Sequence, residues 1–499
     1  MGFLSAEFLL GFLPITFAGF TLLQRYRQEW SIPFLVTASV LFIALNSVLA
    51  LAVLLASVIV NRACALAMVR YEGARNEFLL CGIAANIAVL AWFKLHPVPL
   101  SGGGSAMLVI GMPLGLSFYA FKQITYLIDR HQNRAQELSG LKYILFSMFF
   151  SHLPAGPITP YRVLQPQIET LTGRKFAAGE VSTGIALIVI GAFKLRCFSA
   201  SIGSLTGPIY SEAAAGTDIC LPESVIASSG FLLQLYYNFS GYSDMAIGLA
   251  LCFGLRLSPN FDSPLKASRI GDYVIRWHAS LMAFARDYIF RYMQQGLAQF
   301  LPIRAATHRR IAAWAVATCA TYILVMLWHE AGWPALLISL LTAIVVIAAG
   351  LTRVLNSHRT LHDSRSKKFA GQVLCLTIAS ITIVFFRSDS LATASAIFSG
   401  FVYWGDTSAL TSHSSPTREM CAVLSSSASD IAYLAIFLVA GGTALVLPNT
   451  MRICRILPSH SEWLTFRPNL RWAVFLGFLA WVAWLFDTPL SGGIIYEGF

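Results

Sequence analysis

From Ser31 to Val60 the chain runs for thirty residues without a charged side chain. At ~1.5 Å per residue, one helix of that length would reach about 45 Å, against ~30 Å of hydrocarbon in a bilayer. The run is therefore either a tilted, overshooting span or a tight pair of helices. Comparable apolar blocks lie near 3–23, 78–95, 106–127, 182–203, 230–253, 311–328, 335–352, 370–386, 431–448 and 472–486. The 143–153 run is too short to cross and reads as a re-entrant or buried piece. Soluble domains carry about 25% charged residues, whereas this chain has 12% charged and 56% hydrophobic residues. No hydrophilic block is long enough to be a separate soluble domain. The pattern predicts an all-α, polytopic transmembrane bundle of about 11 spans with short re-entrant or interfacial helices, since lipid admits backbone only as helices or closed barrels. All of 1–499 reads as one membrane domain.

The formal net charge is +11. In a soluble protein that excess would suggest nucleic acid. Here the Lys and Arg lie between apolar blocks, so their partner is the anionic inner leaflet, and nucleic acid is excluded. Connectors 62–77 (Arg62, Arg70, Arg75), 128–142 (Arg130, Arg134, Lys142), 353–368 and 449–471 are basic and read as cytoplasmic. The 256–310 stretch joins them, with nine basic residues against three acidic. Between Arg196 and Arg256 there is no Lys or Arg, and the segment 204–229 carries Glu212, Asp218 and Glu223. It reads as an extracytoplasmic loop, as does the Ser/Thr-rich 404–430. The C-terminus then falls outside the cytoplasm. The apolar start lacks a basic leader and reads as a retained first span. The nine cysteines contain no C-x-x-C pair, so neither a disulfide framework nor a metal site is expected.

Ionisable and polar groups inside apolar spans are costly and mark candidate sites. In 236–248, Tyr237, Ser240 and Asp244 share one helical face, near Asn238. Such a face suits a polar cavity, or interhelical hydrogen bonding with Ser240, Gly241 and Ser243 permitting close packing. In 276–293, the spacing predicts one amphipathic helix. Trp277, Leu281, Phe284, Tyr288 and Tyr292 form its aromatic stripe; Arg276, Ser280, Asp287 and Arg291 form another face, with Asp287–Arg291 an i,i+4 pair. His278 falls beside the stripe. An inert interfacial helix would carry the same pattern. The third place is Trp328-His329-Glu330 at the end of an apolar run, where Thr318, Tyr322, Val325 and His329 share a face. His329 lies about 27 Å from the start of the 311–328 run. A neutral imidazole there can take a hydroxyl proton and return it, though a structural histidine at a helix end is the commoner case.

Taken in order, several segments resemble the membrane-bound O-acyltransferase family. They are NIAVLAWFK at 86–94, PLGLSFYAFKQITYLID at 113–129, PAGPITPYRVLQPQI at 154–168, YYNFSGYSDMAIGLALCFGLRLSPNFDSPLKA at 236–267, RWHASLMAFARDY at 276–288, LWHEAGW at 327–333, VFFRSDSL at 384–391 and LPNT at 447–450. The core motifs thus span 86–391, with a C-terminal span and tail at 472–499. The resemblance is to the branch that acetylates alginate or D-alanylates teichoic acid.

That resemblance implies a tunnel through the membrane domain. It makes His329 the principal catalytic group and places His278 on the same tunnel, with Trp277, Trp328 and the polar residues above as candidate lining. Glu330 stands where the family usually has glycine, which puts the approach to the imidazole and the identity of the acceptor in question. The ending SGGIIYEGF is a degraded form of the branch's aromatic terminus, and Tyr496 occupies the position of a suggested acyl relay; an interfacial aromatic anchor is the plainer alternative. The implied reaction carries an acyl group, acetyl above all, from a cytoplasmic thioester such as acetyl-CoA to a hydroxyl of an envelope polysaccharide. No bound cofactor is implied. An extracytoplasmic acyltransferase partner and a bacterial cytoplasmic membrane are. The alternatives are D-alanyl transfer, a transporter, or an inactive scaffold.

Overall fold

Ser47 decides the fate of the uncharged run. Its backbone is extended (φ −164°, ψ 116°) and its side chain accepts a hydrogen bond from the amide of Ala50. It therefore ends one helix and caps the next, so the run becomes the pair α2 (Ser31–Asn46) and α3 (Val48–Arg70). A computed structural model describes residues 1–96, 98–100, 108–110, 113, 115–174, 177–329, 333–355, 364–402, 428–458 and 464–486. Before the pair lies α1 (Leu13–Tyr26), and after it α4 (Arg75–Leu95). A two-stranded antiparallel hairpin, β1 (Val98–Leu100) with β2 (Leu108–Ile110), pairs Pro99 with Val109. The expected span over 106–127 is thus corrected. Its helix, α5 (Leu116–His131), is shorter and buried on nearly every side, a core element and not a lipid-facing one.

The short run at 143–153 is buried. Helix α6 (Gly140–Met148) leads into a non-helical stretch in which Phe149, Phe150, Leu153 and Ala155 are all sealed. Irregular backbone survives at such depth only inside protein. Here Lys122 of α5 reaches the carbonyl of Phe146 and the ring of His152. Helix α7 (Tyr161–Glu169) follows.

The segment 204–229 is not a loop throughout. Helices α8 (Ala178–Phe193) and α9 (Ala200–Ala214) are joined by one π-helical turn, Lys194–Ser199, into a continuous apolar rod. Beyond α10 (Leu221–Val225), α11 (Phe231–Cys252) is buried over almost its whole length. Two facing glycine pairs let α8 and α11 touch backbone to backbone. A Cβ on Gly191 would come within 2.5 Å of the carbonyl oxygen of Gly241, and one on Gly248 within 2.5 Å of that of Gly184. Close approach through small residues is how helices bind in lipid, where burying apolar surface gains little.

The rest comprises α12 (Ile270–Arg276), α13 (Ala279–Phe284), α14 (Arg291–Phe300), α15 (Ala306–His329), α16 (Trp333–Leu355), α17 (Arg365–Arg387), α18 (Leu391–Ser399), α19 (Ala428–Val446), α20 (Thr450–Ile453) and α21 (Leu470–Leu485). Among the described residues seven helices are long and apolar enough to cross a membrane, and three shorter apolar ones accompany them. The fold is a polytopic helical bundle. Of the Ser/Thr-rich segment, residues 404–427 lie outside the described residues.

Candidate active site

Helix α15 carries Tyr322, Val325, Met326 and His329 at i, i+3, i+4 and i+7, one face of an α-helix, and all four line a single cavity of about 150 Å³. Thr318, expected on the same face, stops short of it. The helix is described as far as His329. There Lys94, in the last turn of α4, donates from Nζ to the His329 carbonyl at 3.3 Å. Trp328 turns away from the cavity and packs on Phe121 (ring centroids 4.9 Å apart) and edge-on to Phe118 at 6.0 Å. The His329 ring lies 4.2 Å from that of Trp328 and 6.1 Å, edge-on, from that of Phe386 of α17. Packing on both sides sets its orientation.

His278 reaches the same cavity from a different kind of structure. The single helix expected over 276–293 is broken. Helix α12 stops at Arg276, and His278 adopts the left-handed conformation (φ 45°, ψ 50°), which costs a residue other than glycine about 1–3 kcal/mol. Asn260 explains the break. Its carbonyl accepts the amide of Ala279 at 2.7 Å, a bond that helical continuation would have given to Ile275. Its side-chain oxygen lies 2.8 Å from His278 Nδ1 and accepts the Ser280 hydroxyl at 2.8 Å, while its amide group donates to Ser243 at 2.8 Å. Ser280 in turn accepts the amide of Ile158 at 3.0 Å. Since the Asn260 oxygen can only accept, Nδ1 of a neutral His278 carries the proton, and Nε2 presents its lone pair. Periodicity finds residues that share a face if a helix continues; it has no access to a distant asparagine that ends one.

Trp277 also lines the cavity, with Tyr273 of α12 and Phe386 of α17. The four helices that form much of its wall, α12, α15, α16 and α17, carry a second cleft at their basic ends. It has a volume of about 910 Å³ and is lined by Arg269, Gly271, Trp314, Gly350 and Gly371 among others. Each helix thus contributes to the wide cleft with one stretch and to the two-histidine cavity with the next.

Comparison with known proteins fits this arrangement. The profile of MBOAT, the membrane-bound O-acyltransferase family, matches residues 38–391, well over half of the chain and both of the segments that carry the histidines. The chain belongs to this family. It is a multi-pass membrane acyltransferase. Among its relatives, the peptidoglycan O-acetyltransferase of Helicobacter pylori is 28% identical over 79% of this chain and 78% of its own length. A probable alginate O-acetylase, AlgI, of Azotobacter vinelandii is 29% identical over 81% of this chain and 79% of its own. The teichoic acid D-alanyltransferase of Bacillus subtilis is 26% identical over 44% of this chain and 55% of its own.

The other candidate residues of this acyltransferase are placed elsewhere. Tyr237 donates to the carbonyl of Ala440 at 2.7 Å and meets Thr443 at 2.7 Å. Asn238 donates to Ser199 at 3.2 Å. Ser240 is buried on α11, whose glycine at 241 touches α8. Asp244 forms an ion pair with Lys194 of the π-helical turn at 2.7 Å. None of these four lines the two-histidine cavity; α11 reaches it only through Leu235. Arg276 accepts the amide of Asp262 through its carbonyl at 3.1 Å and stands outside the lining, as does Ser280. Asp287 sits in a charge cluster, 3.2 Å from Arg291 as the i,i+4 spacing predicts, 3.0 Å from Arg162 and 2.8 Å from Arg286. Burial pushes its carboxyl up, but the hydrogen bonds and charges of these arginines outweigh that and hold it below the usual carboxylate range. Glu330 and Tyr496 lie outside the described residues.

Sequence reasoning missed Asn260, Lys94, Met282 and Met326. Asn260 lies in a stretch without periodicity. Lys94 lies inside a family-like segment, where one cation at the end of an apolar span was the available signal. The methionines look like ordinary core.

Proposed function

We propose that this enzyme transfers an acetyl group from a cytoplasmic acyl thioester to a hydroxyl of an extracytoplasmic cell-envelope polysaccharide, with His329 as general base. The observation that carries the reading is that two imidazoles, from segments fifty residues apart in sequence, line one cavity with largely apolar walls. The acceptor hydroxyl gives its proton to His329 as its oxygen attacks the thioester carbonyl. The tetrahedral intermediate collapses, the C–S bond breaks, and the thiolate leaves and takes the proton back from the imidazolium. His278, with Nδ1 committed to Asn260, orients the donor through Nε2. The wide cleft beside Arg269 is the donor entrance, on the side where the basic connectors lie, and its cation suits the phosphates of coenzyme A.

The acceptor is an envelope glycan of the alginate, cellulose or peptidoglycan kind. The attacking hydroxyl is either the glycan's own or the phenol of Tyr496; in the relay form the phenol takes the acyl group from the thioester, the tyrosyl ester exchanges with the glycan hydroxyl on the far side and frees the phenol, and an extracytoplasmic acyltransferase completes delivery. The enzyme resides in a bacterial cytoplasmic membrane with its C-terminus outside. Two acetylating relatives align with about four-fifths of the chain and further alginate O-acetylases with 44–58% at 32–33% identity, whereas the D-alanylating relatives align with 44% at 23–26% identity, which favours acetyl over D-alanyl.

Cells expressing the wild type or His329→Ala, fed labelled acetate or labelled alanine, test the whole reading. Acetate label on envelope glycan in the wild type, and its absence in a variant still present in the membrane, is the expected result. Alanine label would move the donor to a D-alanyl carrier. Full acylation by His329→Ala would overturn the chemistry. A mass increment of one acetyl group on the peptide containing Tyr496 tests the relay.

A further inference from the structure

The cavity that holds the two histidines is small. Its volume of about 150 Å³ is one that elsewhere encloses a single benzene ring. An acetyl thioester carbonyl, its sulfur, and the attacking hydroxyl with its carbon bring together about as many non-hydrogen atoms as that ring. A six-carbon acyl chain would have to displace a wall or leave the cavity through its open side.

The walls nearest the imidazoles have a common design. Met282 and Met326 both line the cavity. The amide of Met282 donates to the carbonyl of His278 at 3.0 Å, so this side chain stands one turn after that histidine. Met326 precedes His329 by one turn of α15 and shares its face. Each imidazole thus has beside it a long, unbranched thioether, the apolar side chain best able to fill an irregular gap.

We infer that Met282 and Met326 set the acyl length this enzyme accepts, restricting it to groups of about two to four carbons by occupying the space a longer chain needs. The inference rests on the proposed acyl transfer at the two histidines.

The test uses the full-length protein in membranes containing its envelope glycan, supplied with acetyl-, butyryl- or hexanoyl-coenzyme A, and measures free thiol and ester. In the wild type, hexanoyl transfer should fall at least ~100-fold below acetyl transfer, since methylenes that do not fit cost about tenfold or more each. Met326→Ala and Met282→Ala should each raise the hexanoyl-to-acetyl ratio about tenfold. The ratio is taken within one preparation, so a loss of folded protein cancels. Ala379→Leu, which fills the same cavity from α17, should lower butyryl relative to acetyl. Equal use of hexanoyl and acetyl by the wild type overturns the inference, as does an unchanged ratio in both methionine variants and in Ala379→Leu. A wild type that transfers none of the three overturns the acyl-thioester reading beneath it.

Discussion

Two polar helical faces stood out in this chain for the same reason, and the fold uses them oppositely. On α11, Tyr237 and Asp244 bond to neighbouring elements, to Ala440 and Thr443 in one case and to Lys194 in the other. On α15, Tyr322 and His329 face a cavity. The difference lies in the neighbours. Helix α11 is gripped by α8 through facing glycines, Asp244 is taken up by Lys194, and the separate cavity of about 400 Å³ that Tyr236, Tyr237 and Lys194 line holds neither histidine. Helix α15 meets the broken α12–α13 segment, where a left-handed residue and its asparagine hold the walls apart. A polar face in a membrane is therefore evidence of a partner: on α11 the polar groups are bonded to protein neighbours, and on α15 they turn into the cavity that both histidines share.

The comparison can be broken by mutation. The largest effect is expected for His329→Ala, which should lower acyl transfer by about 10²–10⁴-fold, the range of a general base, with the amount of protein in the membrane unchanged. Asp244→Ala should do the reverse. Removing one member of a buried ion pair costs about 3–5 kcal/mol, read as a lower thermal midpoint in detergent, with activity per folded molecule retained. The double variant Lys194→Met/Asp244→Leu should recover most of that stability. If it does not, the pair has a role beyond the fold.

Asn260→Ala should lower kcat about tenfold or more while KM moves less, because a positioning partner of a catalytic group acts on the transition state. Asn260→Asp keeps an acceptor for His278 Nδ1 and should recover part of the loss. A Michaelis constant that rises alone would instead put Asn260 in substrate binding. The smallest effect belongs to Tyr237→Phe, which removes one interhelical hydrogen bond worth about 1 kcal/mol and should leave turnover unchanged. A large fall in turnover there would erase the contrast between the two faces.

Much of the bundle was legible from the arithmetic of apolar runs. What escaped were the places where one segment's structure depends on another. In the 106–127 run the described residues form strand β2 and a short buried helix, because hydropathy does not distinguish a lipid-facing span from a core element. Lys194 and Asp244 were both visible as charges inside apolar spans, and matching their signs was the signal for an ion pair that the reading of Asp244 alone did not use. For the site, His329 and its face could be placed from helical spacing. His278 could not, because the spacing assumed a helix that Asn260 interrupts.

The order of residues by itself determined that the chain is a polytopic helical membrane protein, because thirty uncharged residues and eleven further apolar runs admit little else, and its ordered motifs pointed to acyl transfer. The family resemblance put His278 and His329 on one tunnel, but only the tertiary structure decided that the shared cavity is small and that Tyr237, Asn238, Ser240 and Asp244 do not enter it. Periodicity acts within a helix, whereas a cavity exists between helices, where glycine contacts and one asparagine set the distance from wall to wall.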